Sequence, residues 1–206
     1  MDCSGSIVIG MMTYFLRPDK SSYRQAGVQH NAAFADQHGV AMTAAKHARH
    51  ASKGAKMKHR LSLLLFLVLV LGGGLTVGFL TAPGGWYAGL AKPSFNPPPW
   101  VFAPVWVVLY ALIALAGWRS FERDTAGWPM RLWWAQLGLN FLWSPVFFAA
   151  HRIALALVVI LLLLAAILAF IVLSWRRDRV SAWLFVPYAA WVAFASVLNG
   201  AILVLN

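Results

Sequence analysis

Aromatic rings are the side chains of this sequence best suited to bind a ligand. The segment from Gly85 to Tyr110, GWYAGLAKPSFNPPPWVFAPVWVVLY, places tryptophans and tyrosines around five prolines and beside the start of an apolar run. Trp106 and Tyr110 lie four residues apart and therefore share one face of a predicted helix. Such rings suit a flat, mostly apolar ligand. Membrane proteins build aromatic belts at both surfaces from the same residue types, so the rings alone leave both interpretations open.

Two later segments place polar groups among further rings. Gln136, Asn140 and Ser144 follow one another at four-residue steps and so form one stripe on a predicted helix. Rings on or beside that stripe are Trp133, Trp143 and Phe147. A second series, with spacings of three, four and four residues, consists of Tyr188, Trp191, Ala195 and Asn199. Polar side chains at bilayer depth join helices or contact a ligand, and joining helices is the commoner use.

Prolines predict how this region is shaped. The run Pro97–Pro99 has fixed φ angles and no N–H donors, so we expect a stiff, non-helical connection that acts as a lid. Pro145 and Pro187 each free a carbonyl and are expected to bend their helices around a cavity. The predicted lid residues are Trp86, Pro97, Pro98 and Trp100.

Groups for acid–base or metal chemistry are missing from the apolar segments of the sequence. None of these segments contains Asp, Glu or Cys, which disfavours acid–base catalysis and proton-coupled transport. The histidines at positions 30, 38, 47, 50 and 59 are spaced by eight, nine, three and nine residues, which matches no metal-ligand pattern. We therefore expect a binding or transport protein that is not an enzyme and has no metal site.

The composition is that of a membrane protein. The 206 residues are 61% hydrophobic and 11% charged, with a mean hydropathy of +0.69, which is too apolar for an ordinary soluble domain. Nine of the 17 Lys and Arg residues lie in residues 1–60. The others lie between apolar runs, where topology and anionic lipid explain them. We therefore expect the lipid bilayer, and no nucleic acid, as a partner.

Five apolar segments are each about the length that crosses a bilayer. Because lipid offers no hydrogen-bond partner to the backbone, each is predicted to be a helix. The predicted fold is an all-α membrane protein, a five-transmembrane-helix bundle, whose fourth segment, apolar on all sides, should face lipid most. The segments lie near residues 61–80, 101–118, 130–149, 152–174 and 180–204.

Basic residues predict the orientation of the bundle. Lys and Arg are concentrated in residues 46–60, 119–131 and 176–179. Cytoplasmic loops carry an excess of these residues, so we expect those three regions, and the N terminus, on the cytoplasmic side.

Residues 1–60 and 61–206 are predicted to be separate regions. Residues 1–60 mix small, polar and basic residues without a sustained apolar period, which predicts a basic, disordered extension. From Met57 the sequence MKHRLSLLLFLVLVLGGG reads as a natural beginning of a membrane protein. The preceding residues are then either a long extension or a start-site misassignment. A cleaved signal peptide is the other interpretation, but no clean small-residue cleavage site ends the run.

Four motifs occur in order within residues 61–206. They are WYxxLxKPSFNPP (Trp86 to Pro98), VFxPVWxxLY (Val101 to Tyr110), QLxLNxxWSPxFF (Gln136 to Phe148) and PYxxWxxFAxxLN (Pro187 to Asn199). In their residues, spacing and order they resemble the TspO/MBR family, which comprises the tryptophan-rich sensory proteins and the translocator proteins.

The resemblance implies a five-helix membrane protein, usually a homodimer, that binds porphyrins such as protoporphyrin IX or haem precursors beneath its first loop. It implies no required cofactor beyond that ligand. The end of the sequence, LNGAILVLN, departs from the eukaryotic sterol motif, which favours the bacterial branch, located in the cell inner membrane and linked to tetrapyrrole transport or sensing and to stress-responsive gene regulation. By motif position the ligand-binding residues are Tyr87, Trp106, Tyr110, Asn140, Trp143, Ser144, Phe147, Trp191 and Ala195.

Two other functions stay open from the sequence. A light-dependent breakdown of bound porphyrin would use Trp106 and Trp191 as radical-prone partners. Alternatively, Gly74 and Gly78 form a GxxxG pair that allows close packing, either within the chain or with a second copy or another membrane protein. In that structural role the pocket would be incidental.

Overall fold

The computed structural model describes residues 56–206, together with residues 42, 43, 47, 52 and 54. The predicted N-terminal extension, residues 1–60, lies almost wholly outside the described residues. Its disorder, its boundary and the alternative start at Met57 therefore stay predictions. Residues Lys58–Asn206 form one compact unit.

Five long helices and one short helix make up the continuous described segment, which contains no strand. This architecture confirms the predicted all-α fold with five helices. In chain order the helices are α1 (Lys56–Leu80), α2 (Gly85–Gly89), α3 (Pro99–Arg123), α4 (Trp128–Ser144), α5 (Ile153–Trp175) and α6 (Arg179–Leu205).

Four of the helices, α1, α3, α5 and α6, are long and apolar enough to cross a bilayer by themselves. α4 has 17 residues and continues through a five-residue π-helical turn, Pro145–Ala149. The two pieces together reach about 30 Å, the thickness of the hydrocarbon core. Pro145, which was predicted to bend this helix, lies where the α-helix changes into the π-helical turn.

Proline and aspartate mark two helix starts. Pro99 occupies the first turn of α3, where its missing N–H has no intrahelical partner to lose. α3 therefore begins two residues before the predicted segment 101–118, and it also ends later, at Arg123. Asp178 precedes α6 and accepts a hydrogen bond from the backbone N–H of Ser181 at 3.4 Å, as an N-cap residue does.

α5 packs against both α4 and α6, which corrects the expectation that this segment faces lipid most. Its buried residues form one stripe along the helix: Ala156, Val159, Ile160, Leu163, Ile167, Phe170 and Ser174. α1 is instead the long helix with the fewest buried positions, namely Phe66, Val70 and Gly74 at four-residue steps. A segment that is apolar all round gives no sequence signal for the side that meets protein.

The turns and helix termini lie at two ends of the bundle, which we call the charged end and the lid end. The charged end contains the start of α1, the α3–α4 turn at residues 124–127 and the α5–α6 turn at residues 176–178. The lid end contains residues 81–98, the α4–α5 turn at residues 150–152 and the end of α6.

An ion-pair cluster around Asp178 holds the charged end together. The Asp178 carboxylate accepts two hydrogen bonds from Arg119, at 2.9 Å from Nη2 and 3.1 Å from Nε, and pairs with Arg123 Nε at 3.1 Å. The Ser181 hydroxyl donates to it at 2.7 Å. Burial raises the pKa of Asp178, but the hydrogen bonds from Arg119 and Ser181 outweigh burial and lower this pKa to about 2.

The other two acidic residues of the described segment also lie at the charged end. Glu122 of α3 lies 2.7 Å from His59 Nδ1 and accepts a 2.7 Å hydrogen bond from the Ser62 hydroxyl, which joins α3 to α1. Asp124 lies 3.9 Å from Arg177 at the surface. Each acidic side chain of residues 56–206 therefore has a basic partner at this end.

Candidate ligand-binding site

Aromatic contacts pack the segment predicted to form a lid against the lid end of α4. Trp86 of α2 stacks on His151, with ring centroids 4.1 Å apart, and packs edge-to-face on Phe147 at 5.9 Å. Tyr87 contacts Phe147 and Phe148 at 6.1 and 5.3 Å. The burial of Tyr87 in these contacts raises its pKa.

Hydrogen bonds join the end of α6 to the middle of the lid. The Asn206 side chain accepts a hydrogen bond from the Ala91 N–H at 3.0 Å and donates one to the Ala91 carbonyl at 3.1 Å. The remaining predicted lid residues lie further along the chain. Pro98 is exposed at the start of α3, and Trp100 is 75% exposed on the outer surface, so Trp100 does not take part in the ring contacts of α2.

Beneath the lid, rings of α3 and α6 meet the polar stripe of α4. Trp106 lies 5.0 Å from Tyr110 and 6.4 Å from Tyr188, measured between ring centroids. The Tyr110 hydroxyl donates to Asn140 Oδ1 at 3.3 Å, and Asn140 Nδ2 donates to the Tyr188 hydroxyl at 2.9 Å. Asn140 thus connects the ring-bearing faces of three helices.

A second ring group lies at the end of α4. Trp143 stacks on Phe147 with centroids 5.3 Å apart, and its indole N–H donates to Asn199 Oδ1 of α6 at 3.2 Å. The Ser144 hydroxyl lies 2.6 Å from the Thr81 hydroxyl at the end of α1. Asn140, Ser144 and Asn199 therefore all bond between helices, which is the commoner of the two uses expected for the polar stripes.

Gln136 differs from the other members of the stripe. Its Nε2 donates to the Trp133 carbonyl within α4 at 2.9 Å. Its Oε1 is buried and has no hydrogen-bond partner among the described residues. Gln136 contributes no bond between helices in the described part of the chain.

An apolar groove of about 810 Å³ opens between α3 and α6, close to these rings. Its volume lies within the range of small-molecule sites. Pro104 of α3 and Pro187 of α6 both line it, so each wall carries a helix proline. The full lining is Pro97, Pro104, Val105, Val108, Leu109, Pro187, Ala190, Trp191 and Phe194.

The nine predicted ligand-binding residues lie in two series of contacts inside the bundle and at the groove between α3 and α6. Tyr87, Trp143 and Phe147 form one continuous series of ring contacts. Trp106 and Tyr110 form another, which reaches α4 through Asn140; Ser144 lies one turn further along α4. Trp191 lines the groove, and Ala195, one turn beyond it, packs against the core.

Several rings in this region were not singled out from the sequence. Phe102 and Phe194 contact Trp191 at 5.8 and 5.9 Å. Phe102 precedes Trp106 by four residues, and Phe194 follows Trp191 by three, so helical spacing from the predicted residues would have found both. His151 gave no such signal, because no helical spacing relates it to Trp86, on which it stacks; its backbone is left-handed, with φ of 55°.

Comparison of the sequence with known proteins shows which family this chain resembles. The sequence profile of the TspO/MBR family matches residues 65–205. A tryptophan-rich sensory protein of Cereibacter sphaeroides is 38% identical over 138 residues, covering 67% of this chain and 87% of the relative. The tryptophan-rich protein TspO of Archaeoglobus fulgidus is 40% identical over 152 residues, covering 71% and 97%. The human translocator protein is 40% identical over 119 residues, covering 55% and 70%.

Proposed function

Because this chain belongs to the TspO/MBR family of membrane sensory and translocator proteins, we propose that it binds a tetrapyrrole at the lid end of its bundle and thereby contributes to the movement or sensing of that ligand. One observation carries the proposal. Rings of the lid helix α2 contact rings at the end of α4, and beneath them rings of α3 and α6 lie close together, beside an apolar groove between α3 and α6.

The chemistry of this region suits a planar aromatic ligand. Ring pairs such as Trp106–Tyr110 and Trp143–Phe147 contribute about 0.5–1.5 kcal/mol each beyond the area they bury. A porphyrin ring offers the same kind of face and can form the same kind of contact with these side chains. Because the Tyr110 hydroxyl and the Trp143 indole N–H are bonded to Asn140 and Asn199, the ligand is proposed to stack on the ring faces and to leave those hydrogen bonds in place.

Catalysis is not part of the proposal. The relatives are named as sensory or translocator proteins. The acidic residues of the described segment lie at the charged end and are paired with basic groups. Among the described residues the lid end carries rings, amides and the basic side chains Lys92, His151 and Arg152, and no Asp or Glu that could act as a general base.

The membrane setting completes the proposal. Lys and Arg residues are concentrated at the charged end of the described segment, whereas the lid end has Lys92 and Arg152. By the positive-inside rule the charged end, with the N terminus, faces the cytoplasm of a bacterial inner membrane. The regulatory role, the link to stress-responsive gene expression and a homodimeric state are proposed together with the tetrapyrrole ligand.

Titration of the purified protein with protoporphyrin IX, followed by tryptophan fluorescence quenching, tests the proposal. We expect the Trp106→Leu, Trp191→Leu double variant to bind about tenfold more weakly, since two ring contacts are removed. Trp183→Leu is the matched control, because Trp183 is 60% exposed at the charged end. Equal affinity of wild type and double variant, with both folded, would contradict the proposed site.

Illumination of the bound complex separates binding from breakdown. If the protein binds the ring without converting it, the ring absorbance should decay at the same rate in wild type and in the Trp106, Trp191 double variant, compared at equal bound fraction. A decay that requires the two tryptophans would instead favour the light-dependent reaction.

A further inference from the structure

The α5–α6 turn and the residue after it carry more positive charge than their own acidic residue can neutralise. Arg176, Arg177 and Arg179 are all exposed, and Asp178 lies among them in the sequence. The Asp178 carboxylate is buried and already occupied by two arginines of α3 and by the start of α6. Among residues 56–206, Arg176 and Arg179 form no ion pair. The turn therefore presents positive charge that the described residues leave uncompensated.

Arg177 has donors that are free for a ligand at this turn. A guanidinium carries five N–H donors, and the carboxylate nearest to Arg177 Nη1 is that of Asp124, 3.9 Å away. This distance is longer than a hydrogen bond, and the two side chains are 69% and 51% exposed. Such a pair is weak. Within residues 56–206 the Arg177 guanidinium therefore has no strong partner.

A small polar cavity lies next to Arg177 at the charged end. Its volume is about 40 Å³, which exceeds the roughly 10–15 Å³ that one oxygen-sized group needs. Ser174 of α5 lines it, is 1% exposed, and has a hydroxyl without a hydrogen-bond partner among the described residues. A buried hydroxyl left unbonded is unfavourable. An oxygen atom in the cavity would satisfy this hydroxyl and would lie beside Arg123 and Arg177, which also line the cavity.

Two tryptophans indicate that the turn lies at the membrane surface. Trp175 immediately precedes the turn and Trp183 lies near the start of α6, with ring centroids 5.5 Å apart. They are 39% and 60% exposed. Exposed tryptophans are enriched at the level of the lipid headgroups. In the proposed orientation this is the cytoplasmic leaflet, where anionic lipids attract basic side chains.

We propose that the phosphate group of an anionic phospholipid binds to Arg177, with one phosphate oxygen directed into the cavity next to Ser174. A guanidinium recognises phosphate through two parallel hydrogen bonds, and the Ser174 hydroxyl supplies a further donor. A lipid without a cationic headgroup is preferred, because its phosphate is not neutralised within the lipid. The proposal goes beyond the tetrapyrrole function and does not depend on it.

Non-specific attraction of the whole charged end to anionic lipid is the alternative. Such attraction depends on the number of basic residues near the surface and not on which of them is present. Arg131 of α4 provides the matched comparison at the same end. Its guanidinium lies 5.3 Å from the Trp128 ring and donates to the Ala126 carbonyl at 3.1 Å, and Arg131 does not line the cavity.

Native mass spectrometry of the full-length protein, released from micelles with equal amounts of phosphatidylglycerol and phosphatidylcholine, tests the proposal. We expect wild type to retain phosphatidylglycerol about fivefold more often. Arg177→Gln should remove most of this preference, whereas Arg131→Gln, which removes the same charge from the same end, should leave it nearly unchanged. Asp124→Asn should increase the preference, because a carboxylate that lines the cavity and opposes the phosphate is lost.

Ser174→Ala separates lipid binding from a structural role of the hydroxyl. Because the hydroxyl has no partner among the described residues, its removal should leave the Tm in phosphatidylcholine micelles unchanged or slightly higher. Phosphatidylglycerol should raise the Tm of wild type by binding to the folded state, and it should raise the Tm of Ser174→Ala less.

Four results would overturn the inference. Wild type could retain both lipids equally, or Arg177→Gln and Arg131→Gln could lose the preference to the same extent, which would indicate non-specific attraction. Phosphatidylglycerol could raise the Tm of wild type and Ser174→Ala equally. Finally, inorganic phosphate at the same concentration as the lipid could abolish the preference, which would assign the site to free phosphate and not to a phospholipid.

Discussion

The charged end and the lid end of the bundle are held by different kinds of interaction. At the charged end, Asp178 accepts hydrogen bonds from Arg119 of α3 and from Ser181 at the start of its own helix, and it also pairs with Arg123 of α3. At the lid end, the contacts are uncharged: rings pack together, as in Trp86 on His151, and polar groups bond to the backbone or to each other, as in Asn206 on Ala91 and Thr81 with Ser144. Ion pairs hold the charged end together, whereas packing and uncharged hydrogen bonds hold the lid end.

This difference indicates where the bundle can change shape. Separating Asp178 from its arginines would leave a buried charge without a partner, which costs several kcal/mol. Separating two rings costs only their mutual attraction, and a ligand ring can restore it. We therefore expect a fixed charged end and an adaptable lid end, which is the arrangement that a binding site beneath a lid requires.

Replacing Asp178 should have the largest effect on stability. Asp178→Asn keeps the size of the side chain but leaves Arg119 without its bidentate partner, so we expect a loss of about 3 kcal/mol in the free energy of unfolding. Thermal unfolding in detergent micelles would measure it. Because the substitution is at the charged end, the affinity for protoporphyrin IX per folded molecule should not change. A weaker affinity would show that the two ends are coupled.

Lowering the pH provides a control for the prediction on Asp178→Asn. The pKa of Asp178 is lowered from 3.8 to about 2 on folding, so its stabilisation is present above pH 3.8 and is lost as pH falls through about 2. The difference in free energy of unfolding between wild type and Asp178→Asn should therefore decrease as the pH falls from 3.8 to about 2. Asp124→Asn, at a half-exposed carboxylate 3.9 Å from Arg177, should cost less than about 1 kcal/mol.

Adding a methyl group at Gly74 should disturb the lid end. A Cβ at Gly74 would collide with the Tyr110 ring, and overpacking of this kind costs about 1–3 kcal/mol. The better helix propensity of alanine offsets roughly 1 kcal/mol of that cost, so the expected net loss is about 1–2 kcal/mol. Since Tyr110 belongs to the proposed site, Gly74→Ala should also weaken protoporphyrin IX binding, in contrast to Asp178→Asn.

Gly78→Ala is the matched control on the same helix. A Cβ there meets nothing within 4 Å, so stability and ligand affinity should stay at the wild-type values or rise slightly. The two glycines of the GxxxG pair therefore differ: Gly74 packs on α3 within the chain, and Gly78 faces open space. If Gly78→Ala changed the oligomeric state in micelles, a contact between copies would be indicated at that position.

The sequence was sufficient for the helices and for much of the ring arrangement. Apolar length gave five helices, and helical spacing placed Trp106 with Tyr110 and put Asn140 on a polar stripe, as the structure has them. These features depend on local periodicity, which a sequence displays directly. Prediction of the ligand and of the roles of these residues rested on the family resemblance and stays a proposal.

What the sequence could not predict depends on contacts between distant residues. The Asn206 bond to Ala91 spans 115 positions, and the stacked rings of Trp86 and His151 belong to different segments of the chain. The packing of α5 was mispredicted because its apolar surface is uniform, so that no periodicity marks the side facing α4 and α6. The pairing of Asp178 with Arg119 likewise joins the α5–α6 turn to α3, and no spacing rule relates the two.

The smallest expected effect concerns the tie between α6 and the lid. Asn206→Ala removes both hydrogen bonds to Ala91, which should cost at most about 1 kcal/mol because the backbone groups can bond to water. Amide hydrogen exchange should nevertheless become faster at residues 86–92 while the core of α5 keeps its protection. The rate of porphyrin binding should rise if the lid must open first. Unchanged exchange at residues 86–92 would show that the ring contacts of Trp86 and Tyr87 hold the lid by themselves, and the contrast between a fixed and an adaptable end would then depend on aromatic packing alone.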